Sequence, residues 1–316
     1  MIETTDDSAA NALPIGTRIG ECEIEALIGF GPCSLVYLAE DRSLGHRVAI
    51  KEYMPASLAS RVDRSCRLVV KHDPGEHDPW EPRTSHQEAF EAGLRSFVDA
   101  ARLFAGLDHP ALLKVHRFWE ENGTAYMAMR HYQDPTLKQA LTAMSAAPEE
   151  TTLRAWLRRL MDALEAVHGV QGLHGEVVPD NILMTESGPL LLDSGAARRT
   201  IVAMTPGPRM VPRFGFAPCE HHIDELSGPW TDLYALASVV YFAITGQTPI
   251  AGVGRMMRDE LEPLSRIAAG RYSSRFLGAI DLAMAVHPEH RPQSIGRFRD
   301  LLDAPGALPV ASASTR

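Results

Sequence analysis

The stretch that constrains this chain most is Leu173-His174-Gly175-Glu176-Val177-Val178-Pro179-Asp180-Asn181-Ile182-Leu183, followed closely by Leu191-Leu192-Asp193-Ser194-Gly195. Two apolar runs, Ile182 to Met184 and Leu190 to Leu192, bracket the turn-forming set Glu186-Ser187-Gly188-Pro189 and predict a hairpin of short strands. Glu176 and Asn181 precede the hairpin, and Asp193 follows it. A hairpin folds its ends together, so these oxygen-bearing side chains are expected to converge. Carboxylates and a carboxamide suit a hard divalent cation such as Mg²⁺, whose other positions go to phosphate oxygens and water.

Size and charge narrow the classes open to such a site. A chain of 316 residues holds one large domain of two lobes, or two domains, and a hydrophobic fraction of 45% supplies a sizeable core. The 31 basic residues form no block and are outnumbered by 40 acidic ones, giving a net charge of -9 and no nucleic-acid footprint. Cys22, Cys33, Cys66 and Cys219 lack metal-like spacing and read as reduced thiols of a cytoplasmic protein. Met1 to Ala10 is acidic without an apolar centre, so no signal peptide is expected there. The longest apolar run, Leu233 to Thr245, is too short for a membrane span and predicts a buried core helix.

Before the central stretch the pattern is mostly β. Residues 1–18 read as a loose polar tail. Cys22 to Ile28 and Leu35 to Ala39 alternate as strands around Gly29-Phe30-Gly31-Pro32-Cys33-Ser34, a Gly-rich turn whose backbone can lie close to phosphates. A dinucleotide-binding turn would lead into a helix; this one leads into a strand, which excludes that reading. A further strand, Arg47-Val48-Ala49-Ile50-Lys51-Glu52-Tyr53, ends with a lysine. Residues 54–85 read as an inserted, solvated loop, with His72 to Pro79 belonging to the loop rather than to a metal site.

Apolar spacing predicts a helix from Ser85 to Gly106. Strands are expected at Leu112 to Trp119 and Ala125 to Met129, around the hairpin signal Asn122-Gly123. Helices are then expected at Thr136 to Met144 and Thr151 to Val170. After the central stretch, residues 196–216 read as loop, and Pro229 opens the apolar helix with Asp232 suited to its N-terminal dipole. Residues 304–316 are small and polar and are expected to be disordered.

Taken in order, these pieces resemble the bacterial Ser/Thr protein kinases of the eukaryotic-like superfamily. The resemblance covers residues 19 to 303 and rests on the Gly-rich flap, Val48-Ala49-Ile50-Lys51, Asn181, Asp193 before Ser194-Gly195, Ala217-Pro218 before Glu220, Asp232 and Arg291. It implies an α+β, bilobal kinase-like fold, with an N-lobe at 19–133 carrying the 54–85 insertion and a helical C-lobe at 134–303. It implies ATP and Mg²⁺ as cofactors. Lys51 would meet the phosphates, and Asn181 and Asp193 would hold the metal. Ile28, Gly29, Gly31, Ser34, Val36, Ala49, Met129 and Leu183 would enclose the nucleotide. The crossover at Arg130-His131-Tyr132 would be the hinge that grips adenine through backbone groups, and Arg291 would pair with Glu220.

Three departures bear on activity. The helix glutamate that orients the strand lysine in the family falls on Ala100. Asp99 beside it is shorter and turned by about 100°, and Glu88 and Glu91 lie further upstream. The His-Arg-Asp triplet reads His174-Gly175-Glu176, so the base, Glu176, carries an extra methylene. The usual lysine two residues on is Val178. Gly175 also removes the arginine that receives an activation-loop phosphate, leaving Thr200 and Thr205 without that partner. Ser34 stands where the flap's third glycine usually falls. The resemblance therefore implies transfer of the ATP γ-phosphate to protein Ser/Thr, weakened or absent. The rival reading is a pseudokinase acting as a scaffold for a regulatory partner protein, of undefined oligomeric state. A third, an unrelated nucleotide-dependent enzyme, is disfavoured by the strand after the Gly-rich turn.

Overall fold

A computed structural model describes residues 10–61, 66–72, 85–192, 194–205, 215–222 and 226–304. Asp193, the histidine-bearing stretch beyond His72, most of both tails and residues 206–214 lie outside the described residues. The chain divides into two compact units: Met1–Asp108 with Leu113–Gln133 and Gly195–Met210, and His109–Leu112 with Asp134–Ser194 and Val211–Arg316.

The first unit is built on an antiparallel sheet. Its strands are β1 (Arg18–Ile19), β2 (Cys22–Gly31), β3 (Ser34–Asp41), β4 (His46–Tyr53), and, after two short strands, β7 (Val115–Glu121) and β8 (Thr124–Arg130), in the order β1-β2-β3-β4-β8-β7. The expected turn at 29–34 is shorter than the sequence implies. The strand continues through Gly31, which pairs with Ser34, leaving only Pro32 and Cys33 to turn. Residues 54–85 also depart from a pure loop. Strands β5 (Ala59–Arg61) and β6 (Leu68–Val70) form a small antiparallel pair there. The Asn122-Gly123 hairpin has φ of 55° and 73°, the paired left-handed conformation that this dipeptide tolerates best.

Helix α1 (His86–Gly106) begins with a reciprocal cap: Ser85 accepts from the Glu88 N–H while Glu88 accepts from the Ser85 N–H. It lays Phe90 and Phe97 on Tyr53 of β4, at ring-centroid distances of 5.2 and 5.8 Å.

The second unit is mostly helical. It contains α2 (Leu137–Ala143), α3 (Glu150–Gly169) and the predicted hairpin, β9 (Ile182–Thr185) with β10 (Gly188–Leu191). One correction falls between the units' segments in the chain: residues 196–204, expected as loop, form helix α4 (Ala196–Met204), which belongs to the first unit. Only Ala197 and Ile201, four residues apart, are buried, and no capping side chain announces the start.

Helix α5 (Pro229–Thr245) is the core of the second unit and is buried along almost its whole length, as the apolar run predicts. Around it lie α6 (Gly252–Met257), α7 (Leu264–Ile267), α8 (Ser274–Ala283) and α9 (Ile295–Asp303). Among the described residues no helix is long and apolar enough to cross a membrane.

Candidate active site

Each unit carries its own set of candidate side chains and is described by itself. In the first, register decides which residues share a face. Gly29, Val36, Lys51 and Met127 are successive cross-strand partners, and so are Leu38, Ala49 and Met129 two residues away. Alternation along the strands puts both rows on one face of the sheet. Gly29, Val36, Ala49, Lys51 and Met129, singled out from sequence, are therefore brought together. Ser34 lies on this face at the Tyr53 end, opposite Gly31. Ile28 falls at an irregularity in the β2–β3 pairing and is exposed. Neither Gly29 nor Gly31 has a positive φ. A methyl at either position would meet only ordinary contacts, Val36 at 3.6 Å for Gly29 and Ser34 Oγ at 3.8 Å for Gly31, so packing within the chain does not demand glycine there.

Lys51 is buried, with its Nζ 5.7 Å from the centre of the Phe97 ring. The acidic side chains of α1 are engaged elsewhere. Asp99 is exposed and bound to Arg102 at 2.7 Å, Glu88 caps Ser85, and Glu91 accepts from Gln87 at 2.6 Å. Asp99 thus does not take over from the missing glutamate at Ala100.

The opposite face of β4 carries a buried network that sequence reading missed. Glu52 accepts hydrogen bonds from Tyr37 Oη at 2.8 Å and from the Arg61 guanidinium, and Arg61 also donates to the Asn11 carbonyl. The Asn11 side chain accepts from the Arg61 N–H at 2.8 Å. This ties the segment before β1 to the sheet and accounts for a charged residue at a fully buried position. The only sequence sign was Lys-Glu-Tyr itself, where alternation must send Lys51 and Glu52 to opposite faces.

In the second unit the central stretch wraps around Asp232 of α5. The wholly buried Asp232 carboxylate accepts from the N–H of His174 at 2.9 Å and of Gly175 at 2.7 Å, and bonds His168 Nε2 at 2.8 Å. Burial pushes the Asp232 carboxyl up. The His168 hydrogen bond and charge, the charge of His174 and the Gly175 N–H outweigh it and hold the pKa below the usual carboxylate range. Gly175 sits at φ 68°, which accounts for glycine in the triplet. Asp232 was read from sequence as a helix-dipole residue; its larger work is to shape this loop.

From that anchor the loop presents Glu176, half-buried, with its carbonyl accepting from Asn181 Nδ2 at 3.2 Å. Leu192 N–H donates to the Asn181 carbonyl at 2.9 Å, so the far end of the hairpin returns to Asn181. Val178 is buried where the family carries a lysine, and His174 is fully buried as packing. Leu183 is buried beside Thr136 through a bridge between β9 and the start of α2. Glu220 and Arg291 pair at 2.5 Å, both buried, with Thr231 Oγ1 donating to the same carboxylate at 3.1 Å.

A β-rich unit presenting a buried lysine and a helical unit presenting an asparagine–glutamate loop define a kinase-type protein. A model of the protein kinase domain matches residues 83–292, more than half of the chain, and the chain belongs to that family. Its relatives are bacterial Ser/Thr protein kinases. It is 28% identical over 306 residues to Serine/threonine-protein kinase PknA of Mycobacterium tuberculosis, covering 91% of this chain and 62% of that one. It is 26% identical over 241 residues to Serine/threonine-protein kinase PrkC of Bacillus subtilis, covering 75% and 32%. The chain therefore spans less than two thirds of these curated relatives. Among solved structures, PpkA-294 in its apo form superposes with a TM-score of 0.79 and 39% identity over 93% of this chain and all of that one. The PknI kinase domain of Mycobacterium tuberculosis, at 22% identity and TM-score 0.65 over 92% and 98%, shares the fold.

Proposed function

We propose that this chain binds ATP with Mg²⁺ and transfers the γ-phosphate weakly to a serine or threonine of a protein substrate. The observation that carries this reading is the single sheet face bearing Gly29, Val36, Ala49, Met129 and the buried Lys51. An ammonium group among small and apolar side chains fits a ligand with an anionic end and a flat apolar end. Asn181, with the hairpin end at Leu192 bonded to it, supplies the hard oxygen that a divalent cation takes, and Asp193 is its partner in the reading. Mg²⁺, when bound, neutralises charge developing on the phosphates.

In this reading Lys51 clamps the α/β-phosphates and Leu183 packs on the base. Glu176 orients the substrate hydroxyl and accepts its proton as the new O–P bond forms and the bridging β–γ O–P bond breaks, with ADP leaving. The extra methylene of Glu176 misplaces that base, so much of the roughly 10²- to 10⁴-fold due to a positioned base is lost. Radiolabelled γ-phosphate transfer to a generic protein acceptor tests this. Turnover above the Glu176→Ala variant supports the enzyme, and equal background sinks it.

The second reading, a pseudokinase scaffold for a regulatory partner, is favoured by Val178 and by the outward-turned carboxylates of α1. A nucleotide that binds only the native state raises the melting temperature by mass action. A shift with Mg²⁺-ATP but no turnover selects this reading; no shift removes nucleotide binding altogether. Four free thiols fit residence in the cytoplasm under either reading.

A further inference from the structure

Strand β4 is a place where hydrophobicity alone sets the register poorly. From Val48 to Tyr53 every residue is buried, so both faces of the strand are covered. Where one face is buried and the other solvated, a slip of one residue turns the apolar set out to water, and that cost fixes the register. β4 lacks this safeguard, because Val48, Ala49, Ile50 and Tyr53 are apolar and buried on whichever face they fall. A slip of one residue would exchange Lys51 and Glu52 between the faces, and the face bearing Gly29, Val36 and Met129 would then carry a carboxylate.

What tells the two faces apart is the surroundings of Glu52. Its carboxylate meets Tyr37 Oη at 2.8 Å, the Tyr126 hydroxyl and the Arg61 guanidinium, all on the side of the sheet away from Lys51. Tyr126 is the direct cross-strand partner of Glu52, and Tyr37 is that of Ile50 two residues away. Arg61 comes from outside this sheet, on β5 of the insertion. It is seated in turn by the carbonyls of Asn11 and Cys66, and its own N–H donates to the Asn11 side chain at 2.8 Å. Leu13 N–H donates to Tyr37 Oη at 3.1 Å. Two stretches that have no part in the roles above, the segment before β1 and the insertion, thus converge on one buried carboxylate. Apolar side chains of similar size often stabilise as well as a buried ion pair does, and the best-attested use of such a pair is to select one register.

We infer that Arg61, seated by Asn11, is a positioning residue: its pairing with Glu52 fixes the register of β4 and so puts Lys51 on the nucleotide-binding face. This role rests on the reading of Lys51 as the phosphate-binding lysine.

The test uses the full chain and keeps apart the ligand-free melting temperature, its shift with Mg²⁺-ATP, and amide hydrogen exchange. Glu52→Leu combined with Arg61→Met removes both charges at similar volume. The ligand-free melting temperature stays near that of the parent chain, while the Mg²⁺-ATP shift falls to less than half. Arg61→Lys keeps a positive charge for Glu52 and gives up the bonds to Asn11, so it lowers the ligand-free melting temperature and retains most of the shift. Asn11→Ala loosens Arg61 without entering the sheet; it speeds exchange in residues 48–53 by about threefold and leaves α8 unchanged. A pair that serves the fold alone would give the reverse pattern in the double variant, a lower melting temperature and a shift of wild-type size, and that result overturns the inference. So does a shift in Arg61→Lys as small as in the double variant, or unchanged exchange at residues 48–53 in Asn11→Ala. These two single variants decide the matter if the double variant does not fold. A wild-type chain with no shift overturns the nucleotide reading and the Lys51 role with it, while the exchange readout still decides whether Asn11 and Arg61 hold β4.

Discussion

Both units keep a buried ion pair, Glu52 with Arg61 in the first and Glu220 with Arg291 in the second, and they differ at the residues of the candidate site. In the second, Glu220 and Arg291 remain paired with both side chains buried, and Asp232 remains saturated with hydrogen-bond donors. In the first, α1 carries Ala100 where the family resemblance puts a carboxylate, and its Phe97 ring lies 5.7 Å from the Lys51 ammonium. A buried ion pair is costly to break one partner at a time, because the survivor stays buried and unpaired. The second unit's pairs are thus locked in by the fold. Position 100 is a half-buried methyl, and the buried Lys51 relies on a partner other than a carboxylate of α1. The difference separates charges that hold the fold from charges that only hold chemistry.

The largest effect should come from breaking the second unit's pair. Arg291→Ala leaves Glu220 uncompensated and should cost about 3–5 kcal/mol, read as a lower denaturant midpoint. An unchanged midpoint would abolish the contrast between the units. Asp232→Asn keeps the volume but loses charge and one acceptor geometry, for about 1–3 kcal/mol. It also carries a pH signature. The folded pKa of Asp232 lies below its unfolded value, so the stability it contributes is complete above the unfolded value of about 3.9 and is lost as pH falls through the folded pKa. The variant should show a flatter fall in stability below about pH 4 than the parent chain, and equal slopes in acid would show that Asp232 contributes no charge-linked stability.

How much of this was legible in the sequence also differs between the units. The β9–β10 hairpin, the α5 core helix and the Glu220–Arg291 pairing could be read because each has a local signal: the turn Glu186-Ser187 between two apolar runs, an unbroken apolar run, or a motif residue. The flap and the Lys51 strand were equally plain from alternation. Helix α4 was not, because its buried face is only Ala197 and Ile201 and its partner, Gly93, lies about a hundred residues away in the chain. The Glu52–Arg61–Asn11 network was hidden for the same reason. Its members are ordinary polar residues until the sheet brings them together. Asp232 was visible only as a residue at a helix start, since its work depends on backbone N–H groups that carry no sequence code.

Two smaller substitutions sharpen the comparison within the first unit. Gly93→Ala forces a methyl against Tyr53 Oη and Ile201, an overpacking that should cost about 1–3 kcal/mol and free α4 before the rest of the sheet. Local exchange in residues 196–204 should rise ahead of exchange in β4; simultaneous loss would mean that α4 has no independent seat.

Asp99→Ala should have the smallest effect of all. Its carboxylate is exposed and paired with Arg102 three residues along the same helix, a surface pair of little worth. Removing it should leave both the melting temperature and the Mg²⁺-ATP shift where they are. If the nucleotide shift fell while the ligand-free melting temperature held, Asp99 would be reaching Lys51 in the bound state. The first unit would then have kept the helix carboxylate by moving it one residue along α1.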